Sequence, residues 1–103
     1  MDYTYLANLA AEFDEIPEDS IVSKTLHKDG KHKAILFGFA PGQELSEHTA
    51  AVPAMLYFVK GEAELTLGED SMSVGPGAWA QMPANLAHSI VAKTPVVMLL
   101  VMG

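Results

Sequence analysis

The chain has no cysteine among its 103 residues, which removes disulfides, thiolate metal ligands and cysteine nucleophiles together. Basic residues are also few: six Lys and Arg stand against 13 Asp and Glu, giving a net charge of -7. With no basic cluster to offset it, that balance opposes binding to phosphate backbones or anionic membrane surfaces. Neither a nucleic acid nor a membrane is expected as a partner. Long apolar runs are missing too. The stretch from Val96 to Met102 is far short of the roughly 20 residues that span a bilayer. The start, Met1-Asp2-Tyr3, is acidic and lacks the basic and apolar parts of a secretory leader, so a cytoplasmic location is the expectation.

What is present fits one small domain, because half of the residues are hydrophobic and can supply a single core. Short apolar or alternating runs are broken repeatedly by Gly, Pro, Asn and Asp, the pattern of an all-β sandwich or barrel. Ser20 to His27 and His32 to Ala40 flank Lys28-Asp29-Gly30-Lys31, and Asp-Gly predicts a two-residue hairpin turn with positive φ at both positions. Glu62, Glu64 and Thr66 alternate with Ala63, Leu65 and Leu67, as in a strand with one wet and one dry face. Further strands are expected over Ser71 to Val74, Ala78 to Met82, Ala87 to Ala92 and Val96 to Val101. Residues 1–19 leave a short helical turn and an edge strand equally open, since Leu6, Leu9, Ala10 and Phe13 have helical spacing but run into an acidic stretch around Pro17. They form an N-terminal segment ahead of a barrel domain at 20–103.

Two spacings carry the functional information. Gly42, five residues, His48, one residue, Ala50, three residues, Ala54, six residues and Gly61 form the first; Gly77, five residues, Pro83, one residue, Asn85, two residues, His88, three residues and Ala92 form the second. The pair resembles the two motifs of the cupin superfamily, which read Gly, His, His, Glu, Gly and Gly, Pro, Gly, His, Asn. The likeness runs from about Val22 to Met102. It implies a cupin-type β-barrel, a double-stranded β-helix or jelly roll related to RmlC-like proteins, with His48 and His88 projecting into the barrel mouth. It also implies one divalent transition metal (Fe, Mn, Ni, Cu or Zn) at that mouth, and here the chain departs from the pattern. Ala50 and Ala54 occupy two of the expected ligand positions. Neutral imidazole suits all these ions, but a catalytic zinc site ordinarily has three protein ligands. Gln81, Glu44, Glu47, His27 and His32 are the remaining nearby donors, none at the right frame position. Asn85, where the family prefers Gly, is the substitution that best tolerates the left-handed region.

Without an ion, His48 and His88 line a pocket or act as general acid or base. If Ala54 keeps the inward facing of the residue it replaces, alternation turns Leu56 and Phe58 inward and Met55, Tyr57 and Val59 outward. The expected ligand pocket then comprises His48, His88, Ala50, Ala54, Leu56, Phe58 and Gln81. His27 and His32 are expected to be solvated residues of the first hairpin. The favoured expectation is a small-molecule-binding cupin, with or without a divalent metal. The alternative is a metal-dependent oxygenase or isomerase that anchors its ion on His48 and His88 and completes the shell with solvent or substrate. A detached regulatory or sensory module is a third reading. Similar short cupins pair as homodimers, which residues 1–19 would help to build.

Overall fold

The computed structural model describes residues 2–103 and is built almost wholly of strands. These are β1 (Ile21–Lys28), β2 (Lys33–Phe39), β3 (Glu44–His48), β4 (Ala54–Lys60), β5 (Ala63–Leu67), β6 (Asp70–Val74), β7 (Trp79–Met82), β8 (His88–Ala92) and β9 (Val96–Met102). A single 3-10 turn at Leu9–Ala11, capped by the Asn8 side chain, resolves the N-terminal ambiguity in favour of the helical turn. Among the described residues no helix is long and apolar enough to cross a membrane.

The strands make two antiparallel sheets, a five-stranded one in the order β1-β2-β9-β4-β7 and a four-stranded one in the order β3-β8-β5-β6. Register decides which residues meet across the interior. On the five-stranded sheet, Phe37, Met98 and Phe58 form one row, and Ile35, Leu100, Leu56 and Ala80 the next. On the four-stranded sheet, Leu45, Ile90, Leu65 and Met72 form a row that faces them in the same cluster. Phe39, Phe58, Leu56, Leu65, Ile90 and Met98 are fully enclosed. At about 1.5–3 kcal/mol for each such side chain, this cluster is the main favourable contribution to the fold. The predicted alternation along β4 is present, with Ala54, Leu56 and Phe58 buried and Met55 and Tyr57 exposed.

Two turns show how sequence signals translate. Gly61 has φ +87°, and a Cβ there would collide with the Pro95 carbonyl, so the close approach of the β4–β5 turn to the β8–β9 turn requires glycine. The Asp-Gly turn differs from expectation. Neither Asp29 nor Gly30 has positive φ, and four residues rather than two connect Lys28 to its cross-strand partner Lys33. The cause is the Asp29 carboxylate, which accepts from the amides of Lys31 and His32 at 2.7 Å each and so closes a longer loop from within.

Candidate functional site

The strand β3 delivers His48 directly opposite His88 of β8 in the sheet register. The next residue in that row is Leu67 of β5. A bulge between Leu45 and His48 re-aims the end of β3, a common device for placing a side chain beside a site. The loops following β3 and preceding β8 are tied together by the Asn85 amide donating to the Ala50 carbonyl at 2.7 Å. Asn85 has φ +69°, so the left-handed conformation expected for it is the one adopted. The two motifs, 40 residues apart at their histidines, therefore converge on one spot.

The two imidazole rings lie 4.0 Å apart between centroids and are tilted by 59°. His88 is only 5% exposed and is the one buried polar side chain among the described residues, whereas His48 is exposed. Each ring is fixed by the main-chain carbonyl two residues before it. His48 Nδ1 bonds the Ser46 carbonyl at 2.9 Å, and His88 Nδ1 bonds the Leu86 carbonyl at 3.0 Å. A carbonyl oxygen only accepts, so both Nδ1 atoms carry the proton and donate. In the neutral rings both Nε2 atoms consequently hold a free lone pair. Among the described residues no buried side-chain nitrogen or oxygen lacks a partner, which means that the Nε2 atom of His88 keeps contact with solvent-accessible space. The arrangement is a pair of adjacent acceptors at the rim of an apolar interior.

The other expected pocket residues separate. Ala50 is half-buried beside the histidine loops, and Ala54 is buried in the row of Met82 and Met102. Leu56 and Phe58 are packed against Met98 and Leu100 and present no surface to a ligand, so their place is in the core. Gln81 is exposed, on the opposite face of β7 from its buried neighbour Met82. It cannot share the interior with His88, because adjacent strand residues point to opposite faces. Gln81 and Ala54 instead border a half-open cavity of about 270 Å³ with His32, Pro53, Met55, Val101 and Gly103. Nothing in the residue pattern signalled that cavity, since it depends on how the ends of β4 and β9 and the β1–β2 loop come together. The same holds for the Ser46 and Leu86 carbonyls, which any residue would supply.

For a metal ion the donor set is short. Among the described residues no group of three or more His, Cys, Asp and Glu side chains is placed to hold one. Glu44 and Glu47 are exposed on β3, and His27 and His32 belong to the first hairpin. Two imidazoles do not fit a resident ion that requires three or four protein ligands. The Nδ1 bonds to main-chain carbonyls are, by contrast, the outer support that ligating histidines usually have.

The family model for the cupin domain matches residues 35–102, a span that contains both motifs. The chain belongs to the cupin family. Among solved structures this cupin is similar to a conserved protein of unknown function from Streptococcus pyogenes, at 28% identity and TM-score 0.85 over 99% of this chain and 89% of that one. It is also similar to a cupin superfamily protein from Desulfitobacterium hafniense, at 26% identity and TM-score 0.81 over 85% and 81% of the two chains. An RmlC-like cupin from Desulfovibrio desulfuricans shares the fold at 23% identity and TM-score 0.82, covering 100% of this chain and 96% of the other. No curated protein matches the sequence. Within the cupin frame, the positions that depart are Ala50, Ala54, Asn85 and Ala92, while both remaining histidines are kept facing each other.

Proposed function

We propose that this cupin binds a small hydroxyl- or ammonium-bearing molecule, neutral or cationic, at the His48–His88 pair, without a resident metal ion. The observation that carries the reading is the pair of Nε2 acceptors, created when both Nδ1 atoms are engaged by main-chain carbonyls. Two adjacent acceptors suit a ligand with two donors, and the surrounding Leu67, Leu86 and Ala50 offer apolar contact to its carbon frame. The net charge of -7 disfavours an anionic ligand. Absence of a third side-chain donor argues against the metal-dependent oxygenase or isomerase reading on grounds of ligand number alone.

Metal analysis of protein purified without chelators, followed by titration with polyols and primary amines under NMR observation, tests this. Polyol or amine titration is expected to move the ring signals of His48 and His88 and leave those of His27 and His32 in place, with no ion retained after desalting. Near-stoichiometric Fe, Mn, Ni, Cu or Zn that disappears in both His48→Ala and His88→Ala would reject the reading and establish a metal site anchored on two histidines.

A further inference from the structure

Half of the lysines in this acidic chain stand on one turn. Lys28, Lys31 and Lys33 lie within a six-residue span, and Asp29 is the single carboxylate among them. Its oxygens are already engaged: Oδ1 accepts from the amides of Lys31 and His32, and Oδ2 lies 3.2 Å from Nε2 of His27. Among the described residues the lysines held in ion pairs are Lys24 and Lys93, so the three ammonium groups of the turn pair with no carboxylate. They are too few to offset the net charge of -7 across the molecule. Beyond a screening length of about 8 Å at physiological ionic strength, however, distant charges fade and the nearest ones set the sign of the field.

The turn is packed against an apolar recess. Gly103 donates its amide to the Pro53 carbonyl at 3.0 Å and passes so close to the turn that a Cβ on it would collide with the Lys31 carbonyl. Lys33 stands opposite Met102 in the register, beside Val101. Val101, Met55 and Gln81 form a row on the outer face of the five-stranded sheet, and with Pro53 and His32 they border the half-open cavity of about 270 Å³. His32 and Gly103 line both that cavity and a more open space of about 190 Å³ bounded by Lys28, Lys31 and Lys33. A dry recess and a cationic rim therefore adjoin.

We propose that recess and rim together form a second binding site, separate from the His48–His88 pair, for a small aromatic carboxylate. The ring lies in the cavity over Met55 and Val101, and the carboxylate meets the lysines of the turn. Size limits the body to about one ring, because ligand pockets usually begin near 300 Å³ and this cavity lies at that lower bound. Met55 favours an aromatic ring over an aliphatic chain, since a thioether sulfur gains from contact with a ring edge. The exposed Gln81 amide offers both a donor and an acceptor to a substituent on the ring. The chain has no arginine, so the anionic head is held by mobile point charges rather than by a rigid fork. Binding of that kind is modest in strength and sensitive to salt.

Titration of the intact chain with phenylacetate, and with the neutral phenylacetamide, tests the proposal through the emission of Trp79, the only tryptophan, which is exposed on β7 two residues from Gln81. Phenylacetate is expected to bind with a Kd on the order of 1 mM, and phenylacetamide about tenfold more weakly. Lys31→Gln and Lys33→Gln should each weaken phenylacetate by about threefold, the size usual for an exposed charge pair, and leave phenylacetamide unchanged. Met55→Glu places a carboxylate in the recess at an exposed position and should abolish binding of phenylacetate. In NMR spectra phenylacetate should move the His32 ring signal and leave those of His48 and His88 in place. His48→Ala should bind phenylacetate as wild type does, which separates this site from the histidine pair. No binding of phenylacetate at about 10 mM, equal affinity for acid and amide, or loss of binding in His48→Ala would overturn the proposal.

Discussion

Four histidines form two pairs in this cupin, and the pairs show how little residue type alone decides. His27 and His32 flank the first turn, are about half exposed, and both face the Asp29 carboxylate, at 3.2 and 3.9 Å. His48 and His88 face each other across β3 and β8, with their Nδ1 atoms held by main-chain carbonyls. In the first pair a carboxylate takes one nitrogen of His27 and lies close to one of His32, and solvent surrounds the rest. In the second, backbone groups take one nitrogen of each ring and leave the other free of a protein hydrogen bond, in rings 4.0 Å apart. A site arises where the fold immobilises a functional group and leaves its chemistry unspent.

His88→Ala should break this contrast most severely. It removes a nearly buried ring and its hydrogen bond, which should lower unfolding free energy by about 2–4 kcal/mol in urea titrations and abolish ligand-induced shifts at His48. His48→Ala should abolish the same binding at a stability cost below about 1 kcal/mol, because that ring is exposed. Asn85→Val comes next. A β-branched residue at φ +69° should cost about 1–2 kcal/mol and loosen the tie to Ala50, whereas Asn85→Gly should unfold at nearly the wild-type denaturant concentration.

Asp29 has a smaller effect, confined to acid. The amides of Lys31 and His32, then the His27 ring, hold its carboxyl down from 3.8 to about 2. A carboxyl depressed in the folded state contributes stability above its unfolded value, so this contribution should be complete above about pH 4 and fade as pH falls towards 2. Asp29→Asn should flatten that part of the stability curve measured between pH 4 and 2. The smallest effects belong to His27→Ala and His32→Ala, each expected within about 0.5 kcal/mol of wild type and without influence on ligand binding.

The barrel was legible because alternation and turn chemistry both point to it. Ala63, Leu65 and Leu67 identify the dry face of β5, and Gly61 and Asn85 sit where the chain needs positive φ. The meeting of His48 and His88 was legible from motif spacing. Less could be read where the outcome depends on the main chain or on faces. Asp-Gly signalled the first turn but not its length, because a side-chain acceptor competed with the tight hairpin. Gln81 lies near the second motif in sequence, yet strand parity turns it outward, into a cavity with His32 and Val101. The carbonyls that fix the two tautomers leave no trace in residue identity. Leu56 and Phe58 were rightly assigned inward, but inward in this barrel means packed core rather than open pocket.

The central claim is that His48 and His88 each keep the proton on Nδ1 and present Nε2 as an acceptor. Long-range proton–nitrogen correlation NMR of the imidazole rings, recorded above pH 7 on uniformly labelled protein, reads this directly. The account predicts pyrrole-type Nδ1 and pyridine-type Nε2 shifts for both residues, with His88→Ala used to assign them. A proton found on Nε2 of either ring would contradict it, because the acceptor pair on which the binding site rests would not exist.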